Sequence, residues 1–254
     1  EGVAWTHLFK AVLEDEMGYD VTITAADVGV GYSATAAGDQ DFFMEAWLPN
    51  LHGSFMEEHG DDLVEVSIIY EDGVTGLIVP TYMADDGVTA LSDLRDAGVV
   101  DKLDGEITGI EAGAGMMVLT EEELIPKYEL DDAGYELVAS SSPAMLAAID
   151  AAIQNEEYIV GMGWQPHSMF GRYDLVLLEQ DEEQIWPIDD IKILGRIGVN
   201  EDLPEVVAFF DNVMWTNETI GSLMVHIADS NLSTLEAARE WKNENSEIWQ
   251  DWIP

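Results

Sequence analysis

Two tryptophans stand in the same local setting. Trp47 is followed by Leu48 and Pro49, and Trp164 by Gln165 and Pro166. Each closes a short apolar run that reads as a strand, 42–46 in one case and 158–162 in the other. Ligands of open α/β sheets sit beyond the carboxyl ends of strands. Two indoles at two such ends, expected one per lobe, would form walls for a cation without acidic protons. Each aromatic face attracts such a cation by about 0.5–2 kcal/mol. A single tryptophan is more often a core side chain. The repeated W-x-P setting raises these two above that reading.

A complementary chemistry is offered by Gly113-Ala114-Gly115-Met116, which joins a predicted strand to a predicted helix. Glycines there let a ligand approach the backbone, and the free N–H groups of a helix start attract an anion. The amides of Gly115 and Met116 are the candidate donors, with Ala114 in the same turn as a further candidate. His52, five residues beyond Trp47, can add one more donor to the same carboxylate.

Other chemistries find little support. No G-x-S-x-G, H-E-x-x-H, Walker or G-x-G-x-x-G sequence occurs. The histidines His7, His52, His59, His167 and His226 are scattered, with no helical i, i+4 pair. With 52 Asp and Glu, some carboxylate pair always looks catalytic, so that signal is empty. No cysteine is present, which removes disulfides and thiolate metal sites. We expect no catalytic residues, no metal and no cofactor.

Strand and helix patterns alternate along the chain, and this positions the candidate residues. The apolar face of Leu8, Phe9, Val12 and Leu13 predicts a helix that ends by Gly18. Short strands are predicted at 21–24, 42–46, 76–79, 107–110, 135–139, 158–162 and 191–196. Helices are predicted at 32–37, 142–154, 204–212, 217–228 and 233–243, with another after Gly115. Alternation of this kind implies α/β layers with mostly parallel sheets. Two sheets are expected. The final helices follow the second set and should return to the first lobe. That makes residues 1–79 plus 193–254 one discontinuous lobe and 80–192 the other. Trp215, Trp241, Trp249 and Trp252 are expected to pack the helical core, and Trp186 receives no role.

Charge narrows the partners. Against 52 acids stand 9 Lys and Arg, for a net charge of −43 over 254 residues. Nucleic acid is excluded as a partner, because phosphate neutralisation needs a basic surface. Docking on an anionic membrane surface is disfavoured for the same reason. A folded chain of this mass exposes roughly 11,000 Å², so net charges sit about 16 Å apart. The Debye length is about 8 Å in 0.15 M salt and about 3 Å in 1 M salt. Self-repulsion at this density weighs against a compact state, more so in dilute buffer than in brine. The chain therefore reads as a protein from a high-salt environment. It has no run of 18 apolar residues and no signal peptide.

Three stretches carry a resemblance. They are Gly38-Asp39-Gln40-Asp41 through Glu45-Ala46-Trp47-Leu48-Pro49-Asn50-Leu51-His52-Gly53, then 107–116, then Gly163-Trp164-Gln165-Pro166-His167-Ser168-Met169-Phe170 with Arg172-Tyr173-Asp174-Leu175. In order and spacing the chain resembles the glycine betaine/proline betaine-binding proteins of osmoprotectant ABC importers. The resemblance implies an α/β, two-lobed fold of the periplasmic-binding-protein type II, with a hinged cleft between the lobes. It implies an extracytoplasmic, monomeric protein that captures glycine betaine or proline betaine and hands it to a membrane permease. Trp47 and Trp164 match two walls of the family's aromatic box. Gly115 and Met116 match its carboxylate-binding amides, and His52 its assisting histidine. The family opens with a strand ending in an aromatic residue just before the Glu-Gly that begins this sequence. The chain is therefore expected to start inside a longer protein. The third ring is expected upstream of Glu1, or from Trp5 or another aromatic. The competing ligands are choline, carnitine and ectoine. A receptor domain sensing such ligands, or an enzyme acting on a quaternary amine, are the competing roles.

Overall fold

A computed structural model describes all 254 residues. The chain divides into two compact units. Unit 1 comprises Glu1–Gly73, Pro166–Ser168 and Asp189–Pro254, and unit 2 comprises Val74–Gln165 and Met169–Ile188. Seven strands occur in chain order: β1 Phe42–Leu48, β2 Leu63–Pro80, β3 Glu106–Thr108, β4 Glu136–Val138, β5 Gly161–Gln165, β6 Leu175–Leu177 and β7 Asp189–Arg196. Three helices of unit 1 matter for the site: α1 Gly2–Asp15, α2 Val28–Ala36 and α3 Gly53–His59.

In unit 1 the sheet is antiparallel. β7 pairs with β1, with Trp47 opposite Ile191, and with the first part of β2, from Leu63 opposite Arg196 to Gly73 opposite Asp189. The stripe Trp5, Leu8, Phe9, Val12 and Leu13 makes α1 amphipathic, and all five are buried. The helices Pro204–Asp211, Asn217–Asp229 and Thr234–Glu244 complete the unit. Thr216 with Thr219, and Ser233 with Glu236, form capping boxes that start the last two. Phe9 anchors a cluster of rings, with centroids 5.7 Å from Phe209, 5.5 Å from Phe210, 6.2 Å from Trp215 and 6.1 Å from Trp252. The Phe209, Phe210 and Trp252 pairs are edge-on, and such pairs add about 0.5–1.5 kcal/mol each beyond area burial. Trp215, Trp241, Trp249 and Trp252 are all buried, as core residues should be.

Unit 1 also buries a lysine. Lys242 is 2% exposed, with its Nζ 3.0 Å from Asp15 and 2.7 Å from Glu16. The same ammonium lies 5.4 Å from the centre of the Trp249 ring. Arg239, one turn earlier, donates to Glu14 at 2.6 Å and to Asp15 at 3.2 Å. The helix Thr234–Glu244 is thereby tied to the carboxyl end of α1, where cations also oppose the helix dipole of that end.

In unit 2 the sheet is mixed. The second part of β2 runs antiparallel to β5 and β6, while β3 runs parallel to both β4 and β5. Gly163 is fixed by this pairing, because a Cβ there would stand 2.3 Å from the Ile78 side chain.

Three expectations need correction. The sheets are not mostly parallel, since β1, β2 and β7 pair antiparallel throughout. Residues 21–24 form no strand. Val21 is instead hung on α1, donating to Glu14 at 3.4 Å and accepting from Lys10. The segment 76–79 is the end of an 18-residue strand. Register shifts between Glu65 and Ser67, Ile68 and Tyr70, and Tyr70 and Gly73 break the two-residue alternation that would have revealed its first part.

Candidate functional site

In unit 1 the candidate residues lie at the carboxyl end of β1. Ala46 and Leu48 face a cluster with Tyr32, Leu63 and Leu194. Alternation places Trp47 on the opposite face. Its ring lies against Gly73. A Cβ at that position would be 2.7 Å from Trp47 Cζ3 and 3.0 Å from the Asp189 carbonyl oxygen, so only glycine fits.

The turn after Trp47 is held by one carboxylate. Asp189, 3% exposed, accepts from the Asn50 amide at 2.6 Å, the Asn50 side chain at 2.9 Å and the Leu51 amide at 2.9 Å. The turn closes on His52. The His52 amide donates to the Trp47 carbonyl at 2.9 Å, and the Trp47 amide donates to His52 Nδ1 at 3.2 Å. Three rings surround the imidazole, with centroids at 5.7 Å for Tyr32, 5.9 Å for Phe55 and 6.4 Å for Phe43. Burial pulls the His52 pKa down to about 4.

Trp47 is itself only 4% exposed, and Trp5 lies deeper still. It is wholly buried in α1, and its indole N–H donates to the Met44 carbonyl at 3.1 Å. It belongs to the buried apolar stripe of α1 with Leu8, Phe9 and Val12. Glu45 is tucked against α1, where a Cβ on Gly2 would meet its carboxyl. Burial, and the neighbouring Glu1, push the Glu45 pKa well above the carboxylate range.

In unit 2, Trp164 lies near the carboxyl end of β5, opposite Thr75 of β2. The parallel neighbour β3 is aligned through Thr108 and Gly161, so both strands point the same way. The chain leaves β3, turns, and begins the helix Gly115–Leu119. Ala114 is extended, with φ −72° and ψ 142°, and its carbonyl accepts from the amides of Met117 and Val118 at 3.0 and 3.2 Å. The amides of Gly115 and Met116 precede these and have no acceptor within the turn. Both residues are buried. Buried donors at a helix start need a partner, and an anion is the natural one. Thr120 steadies the turn by donating to the Met116 carbonyl at 2.7 Å.

Each unit thus carries an indole and neutral hydrogen-bond donors. Trp47 and His52 come together in unit 1, and Trp164 shares unit 2 with Ala114, Gly115 and Met116. This chemistry suits a soft cation joined to a carboxylate. The sequence did not reveal Asp189, Asn50 or Tyr32 as supports of the unit 1 residues. No group of three or more His, Asp or Glu side chains is placed to hold a metal ion. An open groove of about 590 Å³ lies between the helices Asn217–Asp229 and Thr234–Glu244, lined by Glu218, Ser222, His226, Asp229 and Glu240 among others. None of the candidate residues lines it.

Comparison with known proteins bears on this chemistry. Residues 1–244 match the profile of OpuAC, the substrate binding domain of the ABC-type glycine betaine transport system. The glycine betaine/carnitine transport binding protein GbuC of Listeria monocytogenes is 34% identical over 158 residues, which are 62% of this chain and 51% of that protein. The chain thus spans about half the length of that curated relative. Among solved structures, the glycine/betaine/L-proline-binding protein ProX of Borrelia burgdorferi superimposes with a TM-score of 0.90 at 30% identity, covering 100% of this chain and 92% of that one. Lactococcal OpuAC, in its closed conformation with glycine betaine, gives a TM-score of 0.88 at 31% identity, covering 100% of this chain and 95% of that one.

Proposed function

Because the chain belongs to the OpuAC family of substrate-binding domains of glycine betaine ABC transporters, we propose that it captures glycine betaine, or the similar proline betaine, for import through a membrane permease. The family is one of transport binding proteins rather than enzymes. For this chain the reading is a binder that returns its ligand unchanged. It works outside the cytoplasm, as a monomer, in osmoprotection. No helix is long and apolar enough to cross a membrane.

The observation that carries the reading is the pairing of Trp47 with His52 at the carboxyl end of β1. It joins a cation-attracting ring to a neutral donor within one turn. On this reading Trp47 and Trp164 hold the trimethylammonium group, while His52, Gly115 and Met116 hold the carboxylate. Ala114 shapes the anion turn without donating to the ligand. The two units act as hinged lobes on one ligand. Glycine betaine is a zwitterion, so its uptake needs no basic side chain, in keeping with a chain that has only 9 Lys and Arg.

Calorimetric titration in molar salt tests this. Glycine betaine and proline betaine should bind more tightly than choline and ectoine. Saturable binding of choline with none of betaine would transfer the site to a different ligand. Chemical conversion of betaine during the titration would make the protein an enzyme.

A further inference from the structure

On the reading of His52 as a carboxylate donor, we infer that His52 works as a permanently neutral imidazole whose single proton sits on Nε2, a tautomer dictated by the backbone amide of Trp47. A neutral imidazole has one donor nitrogen and one acceptor nitrogen. Nδ1 faces the Trp47 N–H at 3.2 Å. An amide N–H cannot accept a proton, so Nδ1 must be the bare nitrogen. The proton belongs on Nε2, the nitrogen left for a ligand. The second bond between the residues, His52 amide to Trp47 carbonyl, holds the ring's backbone in place while this happens.

The surroundings keep the ring uncharged. Tyr32 from α2, Phe43 from β1 and Phe55 from α3 pack on it. The one titratable group among them is the Tyr32 phenol, kept protonated by burial and by the nearby charges of Glu65 and Asp189. The Asp189 carboxylate is already taken by Asn50 and Leu51. In the ligand-free chain no anion is placed to stabilise an imidazolium, and burial alone depresses its pKa, to about 4. A second proton would also set Nδ1–H against the Trp47 N–H.

The consequence is a donor indifferent to pH and salt. A charged histidine on a surface of net charge −43 would be drawn toward neighbouring carboxylates and screened in brine. A neutral N–H keeps its short-range geometry under both conditions. Trp47 has two duties here. Its ring faces the ligand cation, and its main chain is the positioning group for His52.

The direct test is ¹⁵N NMR of the imidazole on the ligand-free chain in molar KCl. The His52 ring should show the Nε2–H pattern from about pH 8 down to about pH 5, with no titration in that range. An Nδ1–H pattern, or a midpoint between about 5.5 and 7, would overturn the inference whether or not betaine binds. Absence of betaine binding with the Nε2–H pattern present would instead strike the functional reading alone. Affinity gives a second readout. Betaine affinity should change less than about twofold between pH 5.5 and 8. His52→Phe should lose about tenfold or more. His52→Gln, which restores a neutral N–H near Nε2, should recover part of that loss with the same flat profile. A wild-type profile with a step near pH 6.5 that His52→Gln abolishes would show a charged donor and reject the inference.

Discussion

Trp47 and His52 are bonded to each other twice, amide to imidazole at 3.2 Å and amide to carbonyl at 2.9 Å. The four-residue turn between them is therefore a closed unit. Asp189 clamps its outer side through Asn50 and Leu51. The ring of one residue and the donor of the other cannot drift apart without breaking bonds that are shielded from water.

The rings should carry the cation. Trp47→Ala and Trp164→Ala should each weaken betaine binding by about 1 kcal/mol or more, from lost cation–π attraction and lost burial. Trp249→Ala, far down the helical core of unit 1, should leave the affinity of folded protein unchanged. Unaltered affinity in a Trp47/Trp164 double variant would remove the aromatic basis of the site.

Gly73 should be as sensitive as the rings themselves. In Gly73→Ala the new methyl meets the Trp47 ring at 2.7 Å and the Asp189 carbonyl at 3.0 Å, so the ring must turn. We expect at least a severalfold loss of betaine affinity and a shifted tryptophan emission. Gly221→Ala is the control, since nothing lies within 4 Å of its Cβ and it sits inside a helix. That change should be neutral, or stabilising by about 0.5–1 kcal/mol. Equal affinities for the two variants would mean that the Trp47 ring orientation is immaterial.

Acid should destabilise the fold through two histidines. Burial pulls both His52 and His167 down from 6.5 to about 4. Between these values the unfolded chain binds protons that the folded chain refuses. The stability they contribute is therefore complete above about pH 6.5 and lost as pH falls toward 4, on the order of 3 kcal/mol for each group at most. Glu45 runs the other way, because its raised pKa favours the fold at low pH and loses that advantage as pH rises. The melting temperature in 2 M KCl should fall from pH 7 to pH 5, and fall less in His52→Phe. Identical slopes in wild type and variant would exclude His52 as a source.

Salt should stabilise steeply. A net charge of −43 is spread over 11826 Å² of surface. Folding brings those carboxylates closer than they are in the expanded chain, and screening reduces the difference as the Debye length falls from about 10 Å at 0.1 M to about 3 Å at 1 M. Betaine affinity of folded protein should respond far less, since the ligand is net neutral. A melting temperature flat from 0.1 to 2 M KCl would contradict the high-salt reading and leave the betaine reading intact.

The candidate residues could be proposed from the sequence because their groupings are local. Trp47 and His52 lie five residues apart, and Gly115 directly follows the turn it serves. The burial of Trp5 was legible in its stripe with Leu8, Phe9 and Val12. Asp189 was hidden, because nothing in a chain of 52 acids marks the one that will meet Asn50, 139 positions away. The helices after Pro204 were read within a residue or two because caps and apolar stripes are short-range signals. The direction of the strands in unit 1 depends on pairing between β1, β2 and β7, which are distant in sequence, and the bulges of β2 erased its alternation.

The buried Lys242 has a consequence for proteolysis. The 9 basic residues are also the only bonds open to trypsin. Among them Lys242 is nearly sealed, at 2% exposure, by its ion pairs with Asp15 and Glu16. A protease can reach it only when the helix Thr234–Glu244 lifts from α1. Its cleavage would be a clock for that opening, running independently of nicks at the exposed Lys102. Dilution of salt should leave the clock slow as long as the carboxylates of Asp15 and Glu16 hold the ammonium, even while the rest of the acidic surface strains apart.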